Sequence, residues 1–397
     1  MKLSNNQHGF SHHFLLPLFV IVAVAGVGTY VLQRGRAATN PYDDAGLVEL
    51  KKKEDPKRGL VYKQDLRKVK KNANHPCQGQ FEIQRKNPKE PILCTHGPDP
   101  APQGADITKT RSELDVERVA KPLSKEGSVS QPFAVQAAAA TVSGTNPYAP
   151  IAPKCYGDGH DGHRVQLVYA YVSKDNFANY QPYLRMFAGA ADMAVVYSSV
   201  HSGTGSTGRH IRFEQDPKTC QPTFLKVRMP KYDSNDSTIN NFKTAAPLTQ
   251  YVTTRSYLIF MDVGGECGLG TSFGDKNPYG PLNESNNNVE YAAVGRDCWH
   301  YAETHELFHN FGAVSDWAPH TTGAGHCYDG YDIMCYDDGG HNFQGSTWYG
   351  NNSCPGVTAR WQLDCGKNDY FSTASPISST NYLKNNWNTA NSPYLGL

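Results

Sequence analysis

The sequence predicts an α+β fold stabilised by disulfides, and three observations carry that expectation. Residues 164–171, RVQLVYAY, alternate as a strand does, and residues 176–200 carry apolar side chains at helical spacing. Short strand-like runs then follow at 210–214, 223–227, 257–262 and 291–294, before a late helix at 298–311 that has no internal Gly or Pro. Ten cysteines, spread along the chain with no CxxC pair, read as disulfides in an oxidising compartment and argue against a four-cysteine zinc module.

The elements divide into three regions. Residues 14–32 run without a charge, close to the ~20 residues that span a ~30 Å hydrocarbon core and longer than the ~7–15 of a signal-peptide core. Residues 1–37 are therefore read as a membrane anchor, with a cleaved signal as the alternative. Gly35 and Ala37 offer a small-x-small site, but Arg34 and Arg36 flank it. Either reading exports residues 38–397, to the cell surface or as a secreted protein. Residues 38–150 are basic and, from 95 on, rich in Pro, Ala, Gly and Ser. They read as a tether or propeptide-like region holding a small loop closed by Cys77 and Cys94. Residues 151–397 form the folded unit.

Charge excludes one class of function. Residues 151–397 carry 17 Lys/Arg against 23 Asp/Glu, so they offer no basic face to a nucleic acid. The run GTGSTG at 203–208 completes no nucleotide fingerprint and reads as a loop, as does the Gly- and Asn-rich stretch 268–288.

The chemistry sits in the late helix, at His305-Glu306-Leu307-Phe308-His309. Residues i and i+4 lie about 40° apart on one helix face, so both imidazoles can share one zinc ion. Glu306 then stands as general base toward an activated water. Gly312 follows where a chain leaving the helix needs a left-handed residue. Beyond it comes Asp332-Ile333-Met334-Cys335-Tyr336.

This order, HExxHxxG followed by a methionine turn, resembles the metzincin-type zinc endopeptidases. The resemblance is carried by His305, Glu306, His309, Gly312 and Met334, over roughly residues 290–340. It implies a zincin-like catalytic domain with a twisted mixed sheet, an active-site helix and an irregular C-terminal subdomain below a cleft. It also implies that Met334 underlies the metal and that Tyr336 helps hold the oxyanion. The chain departs from the pattern at the third ligand, where Ser315 stands, and a hydroxyl is a weak zinc donor. His320 is the leading replacement, since Pro319 stiffens its approach; His326 and Asp316 are the alternatives. Proximity along the chain suggests the pairs Cys267–Cys298, Cys327–Cys335 and Cys354–Cys365, leaving Cys155–Cys220, among 105 pairings open to eight cysteines.

Lesser features are the cluster His160, Asp161 and His163, read as a solvated turn; Asp337-Asp338-Gly339-Gly340, which lacks a calcium-loop pattern; and His300, turned off the zinc face. The expected activity is hydrolysis of protein or peptide substrates outside the cell with zinc as cofactor. Two alternatives are a non-catalytic adhesin or scaffold with a degenerate protease domain, motivated by Ser315, and a hydrolase of cell-wall peptide crosslinks, motivated by export.

Overall fold

The computed structural model describes residues 48–49, 66–70, 75–77, 80–85, 92–97, 154–229, 239–240, 242–243, 254–263, 267–272, 283, 286, 288–299, 302–323, 325–329, 332–335 and 362–397. The chain divides into two units, Met1–Ala45 and Gly46–Leu397, and every described residue belongs to the second. The expected anchor, Tyr336, His300, Cys354 and residues 337–340 lie outside the described residues. Among the described residues no helix is long and apolar enough to cross a membrane.

The chain begins with β1 (Val48–Glu49), β2 (Leu66–Lys68), β3 (Phe81–Ile83) and β4 (Leu93–Thr95), then enters β5 (Arg164–Tyr171) and α1 (Phe177–Val200). It continues through β6 (His210–Ile211), β7 (Phe224–Arg228), β8 (Arg255–Met261), β9 (Gly268–Gly270) and β10 (Glu290–Gly295) to α2 (Glu303–Asn310), and β11 (Leu395–Gly396) pairs back onto β6. A mixed six-stranded sheet runs β1-β7-β5-β8-β10-β9. All its neighbours are parallel except β9, which lies antiparallel to β10 on the edge. A small antiparallel sheet, β2-β3-β4, holds the disulfide Cys77–Cys94 beside it.

Parallel strands in the middle of a sheet are covered on both faces, and β5 and β8 are buried at every residue. The alternation read at 164–171 thus separates two buried faces, not a wet one from a dry one. Val165, Leu167 and Tyr169 meet Leu184, Phe187 and Ala191 of α1 and Leu307 and Phe308 of α2 in one core. On the other face Tyr257 stacks on Tyr291 at 5.7 Å, with Phe242 edge-on. The polar members are buried because they are paired. Arg164 donates to the Tyr156 and Phe213 carbonyls, and Arg255 pairs with Glu214 at 2.8 Å and donates to the His160 carbonyl. His160 itself pairs with Glu214, so the 160–163 turn is tied into this network.

Two expectations about local structure change. The helix read over 298–311 begins only at Glu303, after a 3-10 turn at Arg296–Cys298. Cys298 is bonded to Cys267 beside β9, which holds the chain at the strand end before it can enter the helix. Residues 268–270, read as loop, form β9. Its glycines are the physical reason: a Cβ on Gly268 would lie 2.1 Å from Glu306 Oε1, and one on Gly270 would lie 2.7 Å from the His309 Cβ and 2.8 Å from the Glu306 carbonyl. Four disulfides are described: Cys77–Cys94, Cys155–Cys220, Cys267–Cys298 and Cys327–Cys335. Cys365 is also disulfide-bonded.

Gly270→Ala forces a methyl into the helix that carries the site, against backbone that cannot swing aside. A loss of about 1–3 kcal/mol is expected, as for core overpacking. Gly189→Ala in α1 meets nothing within 4 Å and is expected to be neutral or stabilising. Denaturant unfolding of the two variants compares them directly.

Candidate metal centre

Helix α2 ends in a Schellman turn. Gly312 takes φ +84°, its N–H donates to the His309 carbonyl, and the Ala313 N–H reaches back to the Phe308 carbonyl. The same turn orients a site residue, because His309 Nδ1 donates to the Ala313 carbonyl at 3.1 Å. One turn earlier, His305 Nδ1 donates to the Ile333 carbonyl at 2.7 Å. A carbonyl only accepts, so Nδ1 carries a proton on both rings, and in the neutral imidazole it is then Nε2 that offers a lone pair.

Those lone pairs face each other, with His305 Nε2 and His309 Nε2 3.1 Å apart. Two nitrogens on one tetrahedral zinc, each at ~2.0–2.1 Å, stand roughly 3.3 Å apart. The donor set therefore fits a zinc ion, which would also relieve the lone-pair contact.

His326 joins the pair. Its ring stacks on His305 at 5.2 Å and stands edge-on to His309 at 5.0 Å. Its backbone is held from one side: the Thr322 N–H and the hydroxyls of Thr321 and Thr322 all donate to its carbonyl. Cys327, the next residue, is bonded to Cys335 across the methionine turn. Met334 is fully buried there, its N–H on Asp332 Oδ1 and its carbonyl taking the Cys327 N–H. Glu306 is fully buried, with its carboxylate under β9.

His320 stands elsewhere. Its Nδ1 lies 2.8 Å from Asp329 Oδ2 and 3.0 Å from Asp369 Oδ2, and its N–H donates to Asp369 Oδ1. The stiff Ala318-Pro319 approach thus delivers the imidazole to two carboxylates. Ser315 caps a turn by accepting from the Trp317 N–H, and Asp316 is outside the histidine group.

A fourth imidazole completes the group. His96, from the end of β4, brings a donor atom within 4.8 Å of those of His305, His309 and His326. Its ring centroid is 4.1 Å from His309 and 4.6 Å from His326. Sequence reasoning passed over it because it lies far from the helix motif in a region read as a tether. The one local signal is its place two residues after Cys94, where a disulfide stiffens the chain.

The acid–base character of the His320 clamp is set by its neighbours. Burial alone lowers the His320 pKa, but Asp369 and Asp329 outweigh it and the net direction is up. Burial, with Asp364 adding to it, pushes Asp369 up to about 8 despite His320. Both groups hold protons more tightly in the folded chain: the His320 contribution is fullest below its ordinary value of about 6.5 and is lost as pH rises through its raised value, whereas that of Asp369 is fullest below its ordinary value of 3.8 and is lost as pH rises toward about 8.

Two outcomes are expected. His326→Ala weakens zinc binding by more than about 100-fold, beyond what loss of an outer partner costs, while His320→Ala keeps one zinc per chain; equilibrium competition with a chelator measures both. Thermal unfolding of His320→Ala shows a larger loss at pH 6 than at pH 8.5. No protein-family model, curated protein or solved structure matches the chain.

Proposed function

We propose that the chain is an extracellular zinc-dependent endopeptidase, with His305, His309 and His326 as the metal ligands and Glu306 as general base. The observation that carries the reading is the pair of Nε2 lone pairs at 3.1 Å, each fixed by a carbonyl on the opposite ring nitrogen. A metal cation between them answers two imidazole nitrogens aimed at one point in this way.

Bound there, zinc would supply a Lewis acid and lower the pKa of water to about 7. The protein's own groups do the rest. Glu306, on the residue after the first ligand, takes a proton from the attacking water and returns it to the leaving amine. The Ile333 and Ala313 carbonyls keep the two imidazoles in the ligating tautomer. Met334, in the turn beside Ile333, is the counterpart of the methionine in the resemblance, and Tyr336 keeps its proposed role at the oxyanion. Strand β9 is the sheet edge above Glu306, and an edge binds extended polypeptide through its backbone. The four described disulfides support an oxidising, extracellular setting.

A second reading has one observation in its favour. Four histidines around one point form a closed set, which is the pattern of a structural zinc site and suits a non-catalytic scaffold.

Hydrolysis of an unfolded protein such as casein separates the two. The assay uses zinc-loaded wild type and His96→Ala, because the His96 ring stands beside the base at 3.7 Å from Glu306 Oε2. Activity is expected in at least one of them, and adding Glu306→Gln lowers it by about 10²–10⁴-fold with zinc content unchanged. No hydrolysis from either zinc-loaded protein favours the scaffold.

A further inference from the structure

The described residues of the span 66–97 meet the candidate site in two ways at once. Cys94, in the middle of β4, exchanges both backbone hydrogen bonds with Ser272, two residues beyond β9: the Cys94 N–H reaches the Ser272 carbonyl at 2.7 Å and the Ser272 N–H reaches the Cys94 carbonyl at 2.8 Å. The pairing is antiparallel. Two residues later His96 enters the histidine group, its side chain 5% exposed and its Nε2 3.7 Å from Glu306 Oε2. The segment also closes on the loop that carries His326. At Gly325, where φ is +97°, a Cβ would lie 3.5 Å from both Gln80 Nε2 and the His96 Cβ.

Leu93–Gly97 therefore does what an extended substrate has to do. It pairs with backbone at the sheet edge and then presents a donor atom at the metal point beside the base. We propose that residues 66–97 are an intramolecular inhibitor, with His96 as a removable fourth zinc ligand and Leu93–Gly97 lying in the substrate cleft. The proposal rests on the reading of His305, His309 and His326 as zinc ligands.

A catalytic zinc keeps one coordination position for water or substrate, and a fourth imidazole fills it. A segment tethered in the same chain competes at an effective concentration in the millimolar range, so a weak individual ligand suffices to keep the site shut. The closure is reversible in covalent terms. Cys77–Cys94 lies wholly within the segment, and the other three described disulfides lie wholly within residues 155–335. A cut in residues 98–153, or displacement of β4 from Ser272, withdraws His96 without reduction of any of these bonds.

The test uses the full chain loaded with cobalt(II) in place of zinc, and reads visible absorption while acetohydroxamate is added. Wild type, His96→Ala, His96→Asn and His305→Ala are compared, and thermal unfolding confirms that each is folded. The expected result is one cobalt in wild type and in both His96 variants, with different spectra. Acetohydroxamate shifts the spectra of the His96 variants at concentrations at least about 10-fold below any that affect wild type. A wild-type spectrum that responds as readily as the variants overturns the proposal, since the position was then already open. Loss of cobalt from both folded His96 variants also overturns it, since His96 is then an essential member of a structural site. If wild type takes up no cobalt, or His305→Ala retains it, the metal-site reading falls and the proposal falls with it.

Discussion

Two imidazole Nε2 atoms held 3.1 Å apart inside a protein are a constraint that much of the surrounding chain serves. Each ring must be fixed, or it would turn its N–H toward its neighbour and the convergence would be lost. The fixing groups are main-chain carbonyls, Ile333 for His305 and Ala313 for His309. One comes from the methionine turn and the other from the turn that ends α2. Gly312 matters for this reason. Its left-handed backbone ends the helix and brings the Ala313 carbonyl round to the ring. The sheet edge yields to the same demand, because only glycine at 268 and 270 lets Glu306 and His309 lie against β9.

The third imidazole depends on loops with little regular structure, and those loops are made rigid by side chains bonding to backbone. Asp332 accepts from the Met334 and Cys365 N–H groups and from the Tyr370 hydroxyl. Asp364 Oδ2 takes the N–H groups of Asp369, Tyr370 and Phe371. The Leu363 N–H donates to Ser198 Oγ on α1, and Trp387 Nε1 donates to the Phe311 carbonyl just past α2. A buried backbone group without a partner costs about 1–3 kcal/mol. These aspartates do in the irregular half what strand ladders do in the sheet. They also hold the Ile333 carbonyl where His305 needs it.

Several elements were legible in the chain because their signals are local. Helix α1 repeats apolar side chains along one face over 24 residues, and the central strands are runs of β-branched and aromatic residues. The spacing of His305 and His309 is a property of any α-helix, so their convergence on one point needs no tertiary information. Strand β9 was not legible, because a strand of glycine and leucine has the composition of a loop. Its glycines answer to a helix that comes more than thirty residues later. The start of α2 is not legible because no breaker precedes it; a 3-10 turn at Arg296–Cys298, tied to Cys267 by a disulfide, comes first.

By itself the sequence determined the pair of imidazoles, the carboxylate between them, the left-handed turn at Gly312 and the α+β order of elements, since each is fixed by backbone geometry within a few residues. Only the tertiary structure set His326, and not His320, beside the helix pair. Both imidazoles sit on the same stretch of loop, and two carboxylates, Asp329 and Asp369, draw one away while three donors to its carbonyl hold the other beside the helix. Only the tertiary structure brought in His96, because pairing at the edge of a sheet joins residues without regard to their separation in the chain.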